Sequence, residues 1–88
     1  MTPRLFGRRM TRLREPFDGA SVVWRARFGR SCIAAYILDH ADHYSGKRYG
    51  WELQLEGYPG TYHECPTLTR AIAECERELR RIAAAVPV

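Results

Sequence analysis

No stretch of this chain is apolar for long enough to cross a bilayer. It also has no Gly-rich phosphate loop, no paired-carboxylate motif and no Cys-x-x-Cys. The three cysteines, Cys32, Cys65 and Cys75, form no even disulfide framework, so the expected compartment is a reducing one, the cytoplasm. Lysine is nearly missing: Lys47 stands alone against thirteen arginines. The opening MTPRLFGRRM lacks the apolar stretch of a secretory signal and is short for a transit peptide; Met10 is a second candidate start.

What is present fits one small domain. A chain of 88 residues buries only roughly 60–65 % of its unfolded surface. Net charge is +4, unevenly placed. Residues 1–30 carry eight arginines against Glu15 and Asp18, and residues 31–88 carry slightly more acid than base. Arginine makes planar, bidentate contacts to phosphate and carboxylate, so the bias fits a polyanionic partner. A GC-rich coding sequence gives the same bias.

The hydrophobic pattern predicts strands followed by a helix. Residues 1–16 show no clean period and are read as a basic arm or an edge strand, with residues 17–88 as the sheet-plus-helix domain. Phe17-Asp18-Gly19-Ala20 is a turn with positive φ. Gly29-Arg30 suggests a two-residue hairpin turn between SVVWRARF and SCIAAYIL. That turn would set Phe28 opposite Ser31, Ala26 opposite Ile33, Trp24 opposite Ala35 and Val22 opposite Ile37. These residues share an apolar face; Arg25, Arg27, Val23, Cys32, Ala34 and Tyr36 share the other, which is expected to be exposed or a contact surface.

Asp39 to Arg48 is polar and reads as a loop. In YGWELQLEG, Tyr49, Trp51, Leu53 and Leu55 alternate with Glu52, Gln54 and Glu56. Pro59-Gly60 is expected at the centre of a type II turn before a short strand, TYHEC. Thr67 is placed to cap a helix whose stripe is Leu68, Ile72, Cys75, Leu79, Ile82 and Val86. Arg70, Glu74, Arg77, Glu78 and Arg81 are expected to point away. The fold class is therefore α+β: a small antiparallel sheet of three to four strands with one C-terminal helix on one face.

The block from Trp51 to Ile72, with its aromatic-led strand, Pro59-Gly60, Thr67-Leu68 and Ala71-Ile72, resembles the N-terminal domain of HicB-type antitoxins. The likeness extends weakly over residues 33–82. It implies a trimmed RNase H-like domain without catalytic residues, which binds and masks a small RNA-cleaving toxin. Thr69 and Arg70 stand where the family favours acid, and Thr61 and Cys65-Pro66 also depart from its pattern.

Two candidate chemistries are weak. Asp39, His40, Asp42 and His43, with His63 and Cys65, match no standard zinc spacing and read as a solvated loop. Cys65 and His63 lie two apart on one strand, but a nucleophile also needs a lowered pKa, an oriented base and an oxyanion site. No enzyme, cofactor or metal is expected. The first functional reading is a small non-enzymatic regulator that occludes a protein partner, antitoxin-like or carried by a phage or mobile element. The alternative is nucleic-acid binding. The candidate contact residues for either are Arg4, Arg8, Arg9, Arg12, Arg14, Arg25, Arg27 and Tyr36. Arg25 and Arg27 would instead be neutralised if they paired with Glu52 and Glu56. A membrane partner is not expected, and a homodimer is left open.

Overall fold

A computed structural model describes residues 2–28, 33–41, 47–55 and 58–85, with the side chains of 58, 59, 61 and 83–85 outside that description. The expected Gly29-Arg30 turn, Ser31, Cys32, Asp42, His43, Glu56 and Val86 lie outside the described residues. The elements in order are β1 (Arg4–Leu5), β2 (Arg8–Arg9), β3 (Thr11–Arg12), β4 (Val22–Phe28), β5 (Ile33–Asp39), β6 (Tyr49–Leu55), β7 (Tyr58–Cys65) and α1 (Leu68–Ala85). Strands β3 to β7 form one antiparallel sheet in sequence order, and β1 pairs with β2 as a separate small hairpin. One helix packs on the sheet, which is the α+β architecture expected. The sheet has five strands rather than three to four, because Thr11–Arg12 adds an edge beside β4.

The β4–β5 pairing keeps the expected faces but not the expected register. Phe28 lies opposite Ile33, Ala26 opposite Ala35, Trp24 opposite Ile37 and Val22 opposite Asp39. The described part of β4 ends at Phe28 and that of β5 begins at Ile33. A slip of two preserves which side chains share a face, because the strand period is two. The hydrophobic pattern therefore fits both registers equally.

A second correction concerns Pro59 and Gly60. They lie inside β7, not in a turn. Leu53 pairs with Thr61, but Leu55 pairs with Tyr58, so Pro59 and Gly60 together oppose Gln54. This is a β-bulge, a place where an edge strand tolerates a residue that lacks an N–H.

The main core lies between the sheet and α1. It contains Leu5, Met10, Trp24, Ala35, Ile37, Trp51, Leu53, Cys65, Ala71, Cys75 and Leu79, flanked by Val22, Ile33, Leu55, Leu68, Ile72 and Ile82. The expected helix stripe is thus the buried face of α1. Thr67 caps it: its Oγ1 accepts from the Arg70 N–H at 3.2 Å, and its carbonyl accepts from Ala71 N at 3.1 Å.

The opposite sheet face is not open along its length. Val23, Leu38 and Tyr36 form a second small core with Leu13, Phe17, Ala20 and Ala34. The segment that covers them is fastened at both ends. Leu13 N donates to Val23 O at 2.9 Å, and Ser21 N donates to Asp39 O at 2.8 Å. Between them the expected turn is present, with Asp18 and Gly19 at φ 55° and 75° and Ala20 N donating to Phe17 O. The Phe17 ring meets Tyr36 edge-on at 5.2 Å.

Candidate functional site

The first ten residues build a surface that their sequence hides. Leu5 is fully buried and Met10 nearly so, both within the main core. Between them the chain reverses at Phe6-Gly7, whose φ values of 52° and 75° are those of a type I′ turn. Arg4 is opposite Arg9, and Leu5 is opposite Arg8. Met10 N donates to Pro3 O at 3.1 Å and closes the ladder. Because Leu5 points into the core, Arg4 and Arg9 share the outward face of the hairpin.

The hairpin tip is docked on α1. Glu76 Oε2 accepts the Phe6 backbone N–H at 2.6 Å. The Arg80 guanidinium lies over the Phe6 ring, 5.2 Å from its centroid, and Phe28 meets that ring edge-on at 6.1 Å. Phe6 nonetheless remains 38 % exposed. Arg4 donates to Gly7 O at 3.1 Å, across the turn. The result is a projection with an exposed aromatic ring at its tip beneath Arg80, Arg4 and Arg9 on its outward face, and Arg8 exposed on the face it shares with Leu5. Among the described residues, none of these four arginines pairs with a carboxylate. Sequence pattern alone gave no sign of it, because a two-residue strand is too short to show a period. The Gly7 that follows Phe6 was the available signal for a turn.

The other expected contact residues divide between the two faces. Arg12 lies opposite Trp24, so it belongs with the helix side of the sheet, and it is exposed. Arg14 is exposed in the segment that follows. Arg25 and Arg27 lie on the far face, half-buried and exposed respectively. Neither makes an ion pair among the described residues, although Arg25, Tyr36 and Glu52 are successive neighbours across three strands. Tyr36 is not available as a stacking platform: it is 9 % exposed beneath Phe17. The eight residues therefore do not form one surface.

The groups considered for catalysis or metal binding are engaged elsewhere. Cys65 donates its S–H to Glu74 Oε1 at 3.4 Å, and burial together with that carboxylate pushes the thiol up to about 11. A nucleophilic thiol needs the reverse shift. His63 stacks on Trp51 at 4.2 Å. Asp39, nearly buried, takes both guanidinium contacts of Arg48, at 2.8 and 3.1 Å, and His40 N donates to Arg48 O at 2.8 Å. His40 Nε2 meets the Tyr62 hydroxyl at 2.8 Å. Among the described residues no three His, Cys, Asp or Glu side chains gather as metal ligands do.

Glu74 departs from its expected role as a solvated helix residue. Its Oε1 also accepts from Trp51 Nε1 at 3.3 Å, and Oε2 accepts from Arg70 Nε at 2.9 Å. The Arg70 contact first, then the indole, hold its carboxyl below the ordinary value. Glu78 pairs with Arg81 three residues on, as the spacing suggests. Searches with family models, curated proteins and solved structures find nothing that matches this chain.

Proposed function

We propose that this is a non-enzymatic binding protein and that its N-terminal hairpin grips a nucleic-acid backbone. The observation that carries the reading is a docked hairpin bearing Arg4, Arg8 and Arg9, with Arg80 of α1 at its tip, all free of carboxylate partners among the described residues. Arg4 and Arg9 face each other across a strand pair, an arrangement that destabilises the hairpin in isolation. A phosphate chain supplies the missing counter-charge. The protonated Cys65 thiol supports the non-enzymatic part, and the free thiols of Cys65 and Cys75 fit a reducing cytoplasm.

A salt titration with labelled DNA and RNA tests the proposal. Affinity is expected to fall steeply with salt. Changing Arg4, Arg8 and Arg9 to Ala is expected to lower the log–log slope by about 0.7–0.9 for each phosphate that the hairpin no longer neutralises. Absence of binding at low salt, or an unchanged slope in the triple variant, refutes it.

One observation favours the second reading, a regulator that occludes a protein partner. Strand β7 is the outer edge of the sheet, eight residues long, with exposed Tyr62, His63 and Glu64. Partner proteins commonly add a strand to such an edge, and an antitoxin-like or phage-borne inhibitor acting on a host protein would use it so. A second copy of this chain is a further candidate for the same edge. Proline at position 62 or 63, whichever turns its N–H away from β6, would give variants that block strand addition while leaving hairpin-borne nucleic-acid binding intact. Loss of a co-purifying protein in those variants supports this reading, and its retention excludes it.

A further inference from the structure

Phe6 holds a backbone conformation that bulky residues avoid. At φ 52° it sits in the left-handed region, which is unfavourable for a residue with a bulky side chain. Glycine, asparagine or aspartate at this turn position would avoid most of that cost. Glu76 holds the strained backbone in place, and Arg80 covers part of the ring without burying it. The cost of the strained backbone yields an aromatic ring fixed at the apex of a basic projection.

We propose that Phe6 is a base-stacking platform and that the ligand of this surface is single-stranded nucleic acid. The inference rests on the nucleic-acid reading above and deepens it. Bases in a duplex are already stacked, so an exposed ring stacks on an unpaired strand without the unstacking cost that a duplex imposes. Arg4, Arg8 and Arg9 hold the phosphates on either side of the turn, and Arg80 lies over the Phe6 ring. A stacked base extends the ring–guanidinium pair that Arg80 already makes. Sequence preference is weak, because every base presents a π face.

The test compares a short oligothymidylate with an abasic strand of the same length, which carries the same charge and no bases. Wild-type protein is expected to bind the oligothymidylate more tightly, by between about 5-fold and 150-fold. Phe6→Asn, a residue that tolerates this φ, is expected to erase that preference and leave abasic binding and its salt slope unchanged. In Phe6→Trp, the added indole is exposed while Trp24 and Trp51 are buried. Its emission is expected to be quenched by the oligothymidylate and not by the abasic strand. Equal binding of both strands with the salt dependence intact overturns the stacking inference alone. So does a Phe6→Asn variant that weakens both strands equally. Failure of wild type to bind either strand overturns the backbone reading as well.

Discussion

A carboxylate that accepts from an indole, a thiol and a guanidinium at once ties three parts of a fold together. Glu74 does this for β6, β7 and the first turns of α1. In Glu74→Ala the Trp51 N–H and Cys65 S–H are left without their acceptor, and stability in urea unfolding is expected to fall by about 1–3 kcal/mol. Glu74→Gln keeps an acceptor and is expected to fall less. The sign with pH follows from the lowered carboxyl: the ordinary value is 4.5 and the folded value lies below it. The contribution is therefore complete above 4.5 and is lost as pH falls through the folded value. Glu78, held low by Arg81, adds to the same acid limb. Wild type should show a steeper loss of stability in acid than Glu74→Gln. Helical periodicity places Glu74 off the apolar stripe, which is correct. It cannot show that a carboxylate at the stripe's border reaches back to Trp51.

Secondary elements were legible wherever a repeating pattern was long enough to be tested against a period. Alternation over seven residues identified β6 and its faces, a hairpin reading sorted the faces of β4 and β5, and the stripe and cap identified α1. The register of β4 on β5 was not legible, since a two-residue slip leaves every face unchanged. Pro59-Gly60 was ambiguous for a different reason: the same pair serves a type II turn and an edge bulge. Strands β1 and β2 are two residues each, and their place is set by the burial of Leu5 rather than by any pattern. Leu5→Ala is accordingly expected to cost about 2–5 kcal/mol and to release the hairpin from the helix, measurable by thermal unfolding. On the other sheet face the Tyr62 ring lies across Gly50, and a Cβ added there would fall 2.3 Å from its hydroxyl oxygen. Gly50→Ala should displace that ring from His40, visible as a change in the Tyr62 environment by NMR.

As a whole, the described residues fill two unequal cores. The basic third proves to be built into both. Leu5 and Met10 seal the helix side, while Leu13, Phe17 and Ala20 cover Val23, Tyr36 and Leu38. That explains why the candidate site was only partly legible: the arginines were visible, but their division between faces depends on what lies under the segment that carries them. No helix among the described residues is long and apolar enough to cross a membrane. The two buried thiols also set an alkaline limit. Cys65 and Cys75 are pushed up to about 11 and about 12. Above the ordinary value of 9.0 the unfolded chain sheds these protons first, so stability falls as pH rises. Their positions have a further use. Cys65 ends the edge strand, whereas Cys75 lies midway along the helix, with no exposed surface at either. A thiol reagent can reach Cys65 when β7 peels from β6, but reaches Cys75 only when α1 leaves the sheet. In a Cys32→Ser background the two labelling rates should separate, Cys65 first, so that the protein's own thiols time the order in which its parts let go.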